Sequence, residues 1–304
     1  MKKTTQLKKA IMERRALVVP GAHDALSAKV IENAGFEAVQ ISGFGVSGSF
    51  LGKPDVGLVQ FKDVLDITAN IAQAVTIPVM ADLDTGGGNA INAARSTERL
   101  IRDGVAGMNI EDQIFPKRCG HMSGKAVISA EEMIGKVKAC LDVRDSMDKD
   151  FVVNARTDAY AVSGLDEAIR RANLYLDAGA DVAFIDGIKT RSDIEKAVKE
   201  LQGPLSVNLM EAVTGVKTEL IPIPELAKMG VGRISLPVAS ILSAHIGMTQ
   251  FFKALKEAPE GILAGQTHWI SSFDDYMEFI NVKEYRELEN SYLPEDLLEL
   301  KYNK

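Results

Sequence analysis

Asn109-Ile110-Glu111-Asp112-Gln113-Ile114-Phe115-Pro116-Lys117-Arg118-Cys119-Gly120-His121 is the stretch on which the fold turns. A short apolar run, 107–110, leads into it and reads as a strand. The run ends on a carboxylate pair, Glu111 and Asp112, and Pro116 stops the regular structure. Lys117, Arg118, Cys119, Gly120 and His121 then put two fixed positive charges, a thiol, a hinge glycine and an imidazole into five positions. A core has no use for such a cluster, because burying unpaired charge is costly. A thiol beside two cations is expected to have a lowered pKa and to be poised for proton transfer or attack.

The same unit recurs on both sides of this stretch. Gly35-Phe36-Glu37, Gly104-Val105-Ala106, Gly179-Ala180-Asp181 and Gly230-Val231-Gly232 each follow a helical pattern and precede an apolar run. Glycine suits the left-handed residue after a helix, so these are repeated helix-to-strand junctions. Short apolar runs at 16–19, 38–41, 77–81, 107–110, 151–155, 182–185, 205–207 and 233–236 give eight candidate strands. Strands apolar on both faces that alternate with helices imply a parallel sheet. Polar residues stand at the C-terminal ends of at least five of them: Asp82 and Asp84, Glu111, Arg156 and Asp158, Asp186, and Asn208. An open sheet serves a ligand from one switch point. A closed (β/α)8 barrel brings all its strand ends to one site, so the sequence predicts an α/β TIM barrel.

The remaining elements follow from local signals. A first helix is expected over 5–14, capped by Thr4 or Thr5, and another over 24–34. Residues 42–55 read as a glycine-rich loop, 166–177 as a helix, 240–256 as a helix and 272–293 as one amphipathic stretch. With no linker or low-complexity segment, the expectation is one barrel domain, 1–304, in which 257–304 is a C-terminal helical tail. The tail carries an apolar face that a complete barrel does not need. It is expected to pack on its own barrel or on a neighbouring subunit.

The chain has 304 residues, a net charge of -7 and a pI near 5.3. That excludes a bulk affinity for nucleic acid or anionic membranes, but not an anionic small molecule in a locally positive pocket. Only Cys119 and Cys140 occur, which points to a reducing compartment, the cytoplasm, rather than a disulfide framework. No apolar run reads as a signal peptide or a membrane span.

Asp82 and Asp84 stand at i and i+2 at a strand end and can aim the same way. If Glu111 ends the adjacent strand, three carboxylates converge. At ~5 Å and an effective dielectric of ~20, each like pair repels by roughly 3 kcal/mol. A hard cation, Mg2+ or Mn2+, would offset that. Gly43-Phe44-Gly45-Val46-Ser47-Gly48 fits a dinucleotide fingerprint in spacing, but no helix is expected there, so NAD binding is not. Its N–H groups suit a carboxylate. Arg156 suits bidentate recognition of a carboxylate, an ion pair with Asp158, or both. His23, His245 and His268 read as structural, and Cys140 as an inert thiol.

Read with these residues in hand, the chain resembles the phosphoenolpyruvate mutase/isocitrate lyase superfamily over roughly 20–258. The carriers are Pro20-Gly21-Ala22-His23-Asp24-Ala25, Gly52-Lys53-Pro54-Asp55, Asp82-Leu83-Asp84-Thr85-Gly86, Glu111-Asp112-Gln113, Lys117-Arg118-Cys119-Gly120-His121 and Ala155-Arg156-Thr157-Asp158. The Lys-Arg-Cys-Gly-His run is similar to that of the C–C lyase branch, the methylisocitrate and 2,3-dimethylmalate lyases. The resemblance implies that Asp82, Asp84 and Glu111, with Asp55, hold Mg2+, partly through water. It implies that Ser42, Gly43 and Phe44 line a pyruvate carboxylate site, that Arg156 binds substrate, and that the Cys119 segment, with Gly120, gates the site. It further implies a homotetramer with helix exchange. Gly87, Asp186-Gly187 and Leu209-Met210-Glu211-Ala212 depart from the methylisocitrate lyase pattern, at positions that shape the far end of the substrate pocket together with Asn208.

The expected chemistry is metal-assisted cleavage of a 2-hydroxy di- or tricarboxylate into an α-keto acid and a second carboxylate. Asp55, Asp186 or a metal-bound water would take the hydroxyl proton. Arg118, His121 and Arg156 would hold the charge of the enediolate, and Cys119 would protonate it. A phosphonomutase that forms a P–C bond on the same scaffold is the alternative. A non-catalytic carboxylate-binding barrel is the second.

Overall fold

A computed structural model describes residues 1–119, 124–209, 218–258 and 270–302. Its strands are β1 (Leu17–Ala22), β2 (Val39–Ile41), β3 (Val79–Asp82), β4 (Gly107–Glu111), β5 (Val152–Thr157), β6 (Val182–Ile185), β7 (Leu205–Asn208) and β8 (Arg233–Leu236). All pair in parallel, in sequence order, and β8 closes back on β1 through Leu17↔Arg233 to Pro20↔Leu236. The predicted eight-stranded barrel is therefore the fold.

The helices are α1 (Lys3–Met12), α2 (Ala25–Asn33), α3 (Gly43–Val46), α4 (Phe61–Ala74), α5 (Ala90–Arg102), α6 (Ala130–Met147), α7 (Ala159–Ser163), α8 (Leu165–Asp177), α9 (Arg191–Glu200), α10 (Ile223–Met229) and α11 (Ala239–Glu257). After them come α12 (Phe273–Phe279), α13 (Val282–Tyr292) and α14 (Glu295–Tyr302). The chain divides into two compact units, Met1–Leu242 and Ser243–Lys304, with the boundary inside α11. No described helix is long and apolar enough to cross a membrane.

The two-residue period of a strand sorts the barrel's side chains. On β4, Met108 and Ile110 join the apolar layer under the helices; on β5, Val153 and Ala155 do the same. Their neighbours Asn109 and Asn154 meet each other, Nδ2 of Asn154 donating to Oδ1 of Asn109 at 2.8 Å. The inward residues change character along the axis. At the N-terminal end Leu17, Val19, Met80, Val152 and Val182 form an apolar layer with Leu7 and Ile11 of α1. Above it Arg233 donates to Ser206 Oγ at 2.8 Å and to Gln40 Oε1. Burial lowers the Arg233 pKa to about 10, with Asp82 acting in the opposite direction. Above that layer β3, β4 and β7 end on Asp82, Glu111 and Asn208, and β5 carries Arg156 one residue before its end.

Several local expectations are corrected. Helix α1 starts behind Lys2, with no side-chain cap. Thr4 and Thr5 instead donate to Asp148 Oδ2 at 3.1 Å and Asp150 Oδ2 at 2.5 Å. Strand β1 runs through Pro20-Gly21 rather than ending there. Residues 42–55 are not one loop: Ser42 caps α3 by accepting from Gly45 N–H, and a π-helical turn, Ser47–Leu51, follows. The stretch 272–293 is two helices, because Asn281 takes a left-handed conformation (φ 61°) between them, which asparagine tolerates better than most residues.

Candidate active site

Strand ends β2, β3, β4, β5, β6 and β7 deliver Ser42, Asp82, Glu111, Arg156, Asp186 and Asn208 around one mouth. A pocket there is lined by Ser42, Gly43, Phe44, Asp55, Asp82, Arg118, Cys119, Arg156, Asp186 and Asn208, among others. Of the site residues read from the sequence, these ten line the pocket, whereas Asp84 and Glu111 are not part of its wall and stand beside it, on Lys117 and Arg156 respectively. Gly120 and His121 lie outside the described residues.

One side of the mouth is acidic. Lys117, only 5% exposed, puts its Nζ 2.9 Å from Asp55 Oδ2 and 2.7 Å from Asp84 Oδ1. Burial works against its charge, but Asp84, Asp55, Glu111 and Asp82 outweigh it and raise the lysine's pKa well above the ordinary value. Burial pushes Asp84 up to about 6, with Lys117 pulling it down and Asp82 and Asp55 adding to the rise. Glu111 is also raised well above the usual carboxylate range, chiefly by burial, against the pull of Arg156. Gly43 N–H donates to Asp82 Oδ2 at 3.3 Å, and a Cβ at Gly43 would lie 2.9 Å from that oxygen. Only glycine lets the backbone approach so closely.

The other side centres on Arg156, whose register partner across β4 and β5 is Glu111. Its guanidinium reaches Glu111 Oε2 at 3.2 Å, Asp158 at 2.9 and 3.0 Å, and Asp186 Oδ2 at 3.1 Å. It lies over the Phe184 ring, 5.2 Å from the centroid. Burial opposes the Arg156 charge, but the three carboxylates outweigh it and hold the charge firmly. Asn208 Nδ2 donates to the other Asp186 oxygen at 3.1 Å, and Ser235 Oγ donates to Asn208 Oδ1. This small polar chain orients Asp186 toward the pocket.

The thiol reaches the mouth through a short anchored segment. Gln113 holds Arg118 twice, accepting from its N–H at 3.0 Å and donating to its carbonyl at 2.9 Å. Cys119 N–H donates to Asp55 O at 3.2 Å. Cys119 is half-buried, whereas Cys140 is fully buried in α6 and its thiol is pushed up to about 11 by burial.

The sequence pairing of Glu111 with Asp112 comes apart in space. Adjacent strand residues face opposite ways, and Asp112 is buried behind the barrel wall. There it accepts from Thr157 Oγ1 at 2.7 Å, Tyr175 OH at 2.8 Å, Asp158 N–H at 2.9 Å and Arg171 at 3.2 Å. Lys117, read as one charge of the 117–121 cluster, was given no role among the acids, and Lys125 was not singled out at all. His23, expected to be structural, is buried with Nδ1 3.0 Å from Ser240 Oγ. Gly87 (φ 77°) faces the Phe61 ring, which a Cβ there would meet at 2.7 Å.

A metal ion is tested by the donors present. No three described His, Cys, Asp or Glu side chains form a direct metal shell. Four carboxylates nevertheless surround the Lys117 charge. Glu111 Oε1 is buried without a hydrogen bond, and Asp84 Oδ1 has the Lys117 ion contact but no aligned hydrogen bond. An oxygen-only acid set with unsatisfied oxygens fits a hard cation held partly through water.

Comparison with known proteins gives a concordant result. The profile of the phosphoenolpyruvate phosphomutase family matches residues 7–256. The chain is 37% identical to a 2,3-dimethylmalate lyase of Eubacterium barkeri, over 96% of this chain and 99% of that protein. It is also 37% identical to a chloroplastic carboxyvinyl-carboxyphosphonate phosphorylmutase of Arabidopsis thaliana, over 95% and 84%. Among solved structures it is similar to a phosphonopyruvate hydrolase in complex with oxalate and Mg++, with a TM-score of 0.84 and 30% identity over 97% of this chain and 100% of that one.

Proposed function

The chain belongs to the phosphoenolpyruvate phosphomutase family, within the phosphoenolpyruvate mutase/isocitrate lyase superfamily, and from that premise we propose how its barrel mouth works. Its relatives make it a carbon–carbon lyase acting on a small carboxylate. The substrate is a 2-hydroxy di- or tricarboxylate of the 2,3-dimethylmalate or 2-methylisocitrate type, cleaved to pyruvate or another α-keto acid and a second carboxylate. The observation that carries this reading is Cys119 on the wall of a pocket that is also lined by Arg156, Asp55, Asp82 and Asp186.

Asp82, Asp84 and Glu111, with Asp55, would hold Mg2+ or Mn2+. When bound, the ion lowers the pKa of the substrate hydroxyl and stabilises negative charge on the keto-acid half. Ser42, Gly43 and Phe44, which line the pocket, would flank the keto-acid carboxylate. A pocket carboxylate, Asp55 or Asp186, takes the hydroxyl proton. The oxygen's electron pair then forms the keto C=O, the C–C bond breaks, and its pair becomes the enediolate of the leaving carboxylate. Arg156 and Arg118, with His121, hold that charge. Cys119 S–H gives its proton to the enediolate carbon.

The test is a coupled assay for pyruvate release from 2,3-dimethylmalate, 2-methylisocitrate and citramalate, with and without EDTA. Metal-dependent pyruvate from one of them is expected; none from any would refute the substrate class. Asp55→Asn and Asp186→Asn then separate the two candidate bases. The phosphorylmutase similarity supports one other reading, P–C bond formation on this scaffold, which phosphorus NMR of product mixtures would reveal.

The working form is a homotetramer in the cytoplasm. In support, α11 to α14 bury none of their side chains, although Phe252, Phe273 and Tyr292 are large and apolar. Both cysteines are free thiols. Size-exclusion chromatography at low concentration checks the assembly, and a clean monomer would refute it.

A further inference from the structure

The mechanism gives no task to two buried lysines at the mouth, Lys117 among the acids described above and Lys125. Lys125 lies between β4 and α6 with its side chain 3% exposed. Its Nζ is 3.0 Å from Asp158 Oδ1 and 3.5 Å from Asp186 Oδ2. Those are two of the three carboxylates that also grip Arg156. Burial works against the lysine's charge, but Asp186 and Asp158 outweigh it and raise its pKa above the ordinary value. The backbone around it is fixed as well. Ile114 N–H donates to Ala126 O at 2.9 Å, Gln113 bridges Val127, and Ile128 N–H donates to Asp112 O at 2.8 Å.

We propose that Lys125 is a positioning residue that keeps Arg156 available to the substrate carboxylate by neutralising, from behind, the acids that hold Arg156 in place. Arg156 and Asp186 line the pocket, whereas Lys125 is absent from its wall. Without Lys125, one guanidinium would answer three carboxylates, and an incoming anion would meet a net negative surface. With it, Asp158 and Asp186 orient Arg156 while most of their charge is balanced. The acids thus act as a rigid bracket rather than as competitors for the guanidinium.

This inference rests on the lyase reading of the pocket, so its probe is chosen to separate the two. Oxalate binding with Mg2+ present is measured by calorimetry on wild type, Lys125→Met and Lys125→Arg, beside KM, kcat and the thermal midpoint. Lys125→Met should weaken oxalate binding and raise KM by about tenfold or more, the scale of one buried unit charge acting at short range. Its kcat should change several times less. Lys125→Arg, which keeps the charge, should restore most of the affinity. A purely structural lysine would lower the thermal midpoint and leave oxalate affinity in place, and that result would overturn the proposal. Should Lys125→Met not fold, it is combined with Asp186→Asn, which removes one charge of each sign. That double variant should bind oxalate several-fold more weakly than Asp186→Asn alone, and equal affinity would overturn the proposal. Failure of the wild type to bind oxalate at all would sink the pocket reading and this inference with it.

Discussion

The two sides of the barrel mouth use the same residue types to opposite ends. On one side Asp55, Asp82, Asp84 and Glu111 face a single lysine, Lys117. On the other, Asp158 and Asp186 face two cations, Arg156 and Lys125. The first side carries surplus acid, and burial together with the neighbouring carboxylates raises the pKa of Asp84 and Glu111. The second is balanced and holds Asp158 below the ordinary carboxylate range, with burial opposing and Arg156 and Lys125 prevailing. The lesson is that local balance, not acid count, sets the two sides of the mouth apart. Glu111 sits on the seam, with Oε2 on Arg156 and Oε1 unsatisfied.

The largest effect that would break this comparison is expected at Asp84. Asp84→Asn should abolish Mn2+ binding seen by electron paramagnetic resonance. It should lower turnover by ~1000-fold or more, since a metal supplies several kcal/mol of charge stabilisation. Turnover close to wild type would deny the acidic side its cation. Cys119→Ser comes next: turnover should fall ~100-fold or more, the usual scale for a general acid, with folding and metal binding intact. An active serine variant would remove the thiol from the chemistry.

Lys117→Met sharpens the contrast by stripping the acidic side of its internal charge. Leaving buried acids uncompensated costs about 3–5 kcal/mol, so the metal-free thermal midpoint should fall by about 10 °C. Mg2+ should recover more of that loss than it adds to the wild type, and equal Mg2+ gains would show that the lysine does not balance the basin. The smallest effect compares the two thiols. Cys140 titrates at about 11 because burial disfavours its thiolate, so below that pH it stays protonated. At pH 8 an alkylating reagent should modify Cys119 in the native protein and reach Cys140 only after unfolding. Two modified thiols in the native state would contradict the burial of α6.

Much of this was legible in the chain. Strand ends carrying Asp82, Glu111, Arg156, Asp186 and Asn208 announced a convergent mouth, because a closed parallel barrel leaves those ends nowhere else to go. The caps were less legible. Thr4 and Thr5 looked like cap residues, yet their hydroxyls found Asp148 and Asp150, some 140 positions away. Short-range rules cannot see that competition. Asp112 looked like Glu111's partner, yet the pleat turned it to the far side of the wall.

Sequence by itself determined the barrel, the family and the residue types that gather at the mouth, because hydrophobic period and strand-end polarity are properties of neighbouring positions. Tertiary structure alone decided which lysine serves which acids. Lys117 and Lys125 are eight residues apart and chemically alike, and only the low-dielectric contacts each makes after folding give them different work. Electrostatic partnership depends on distance in space and on burial, and neither can be read from distance along the chain.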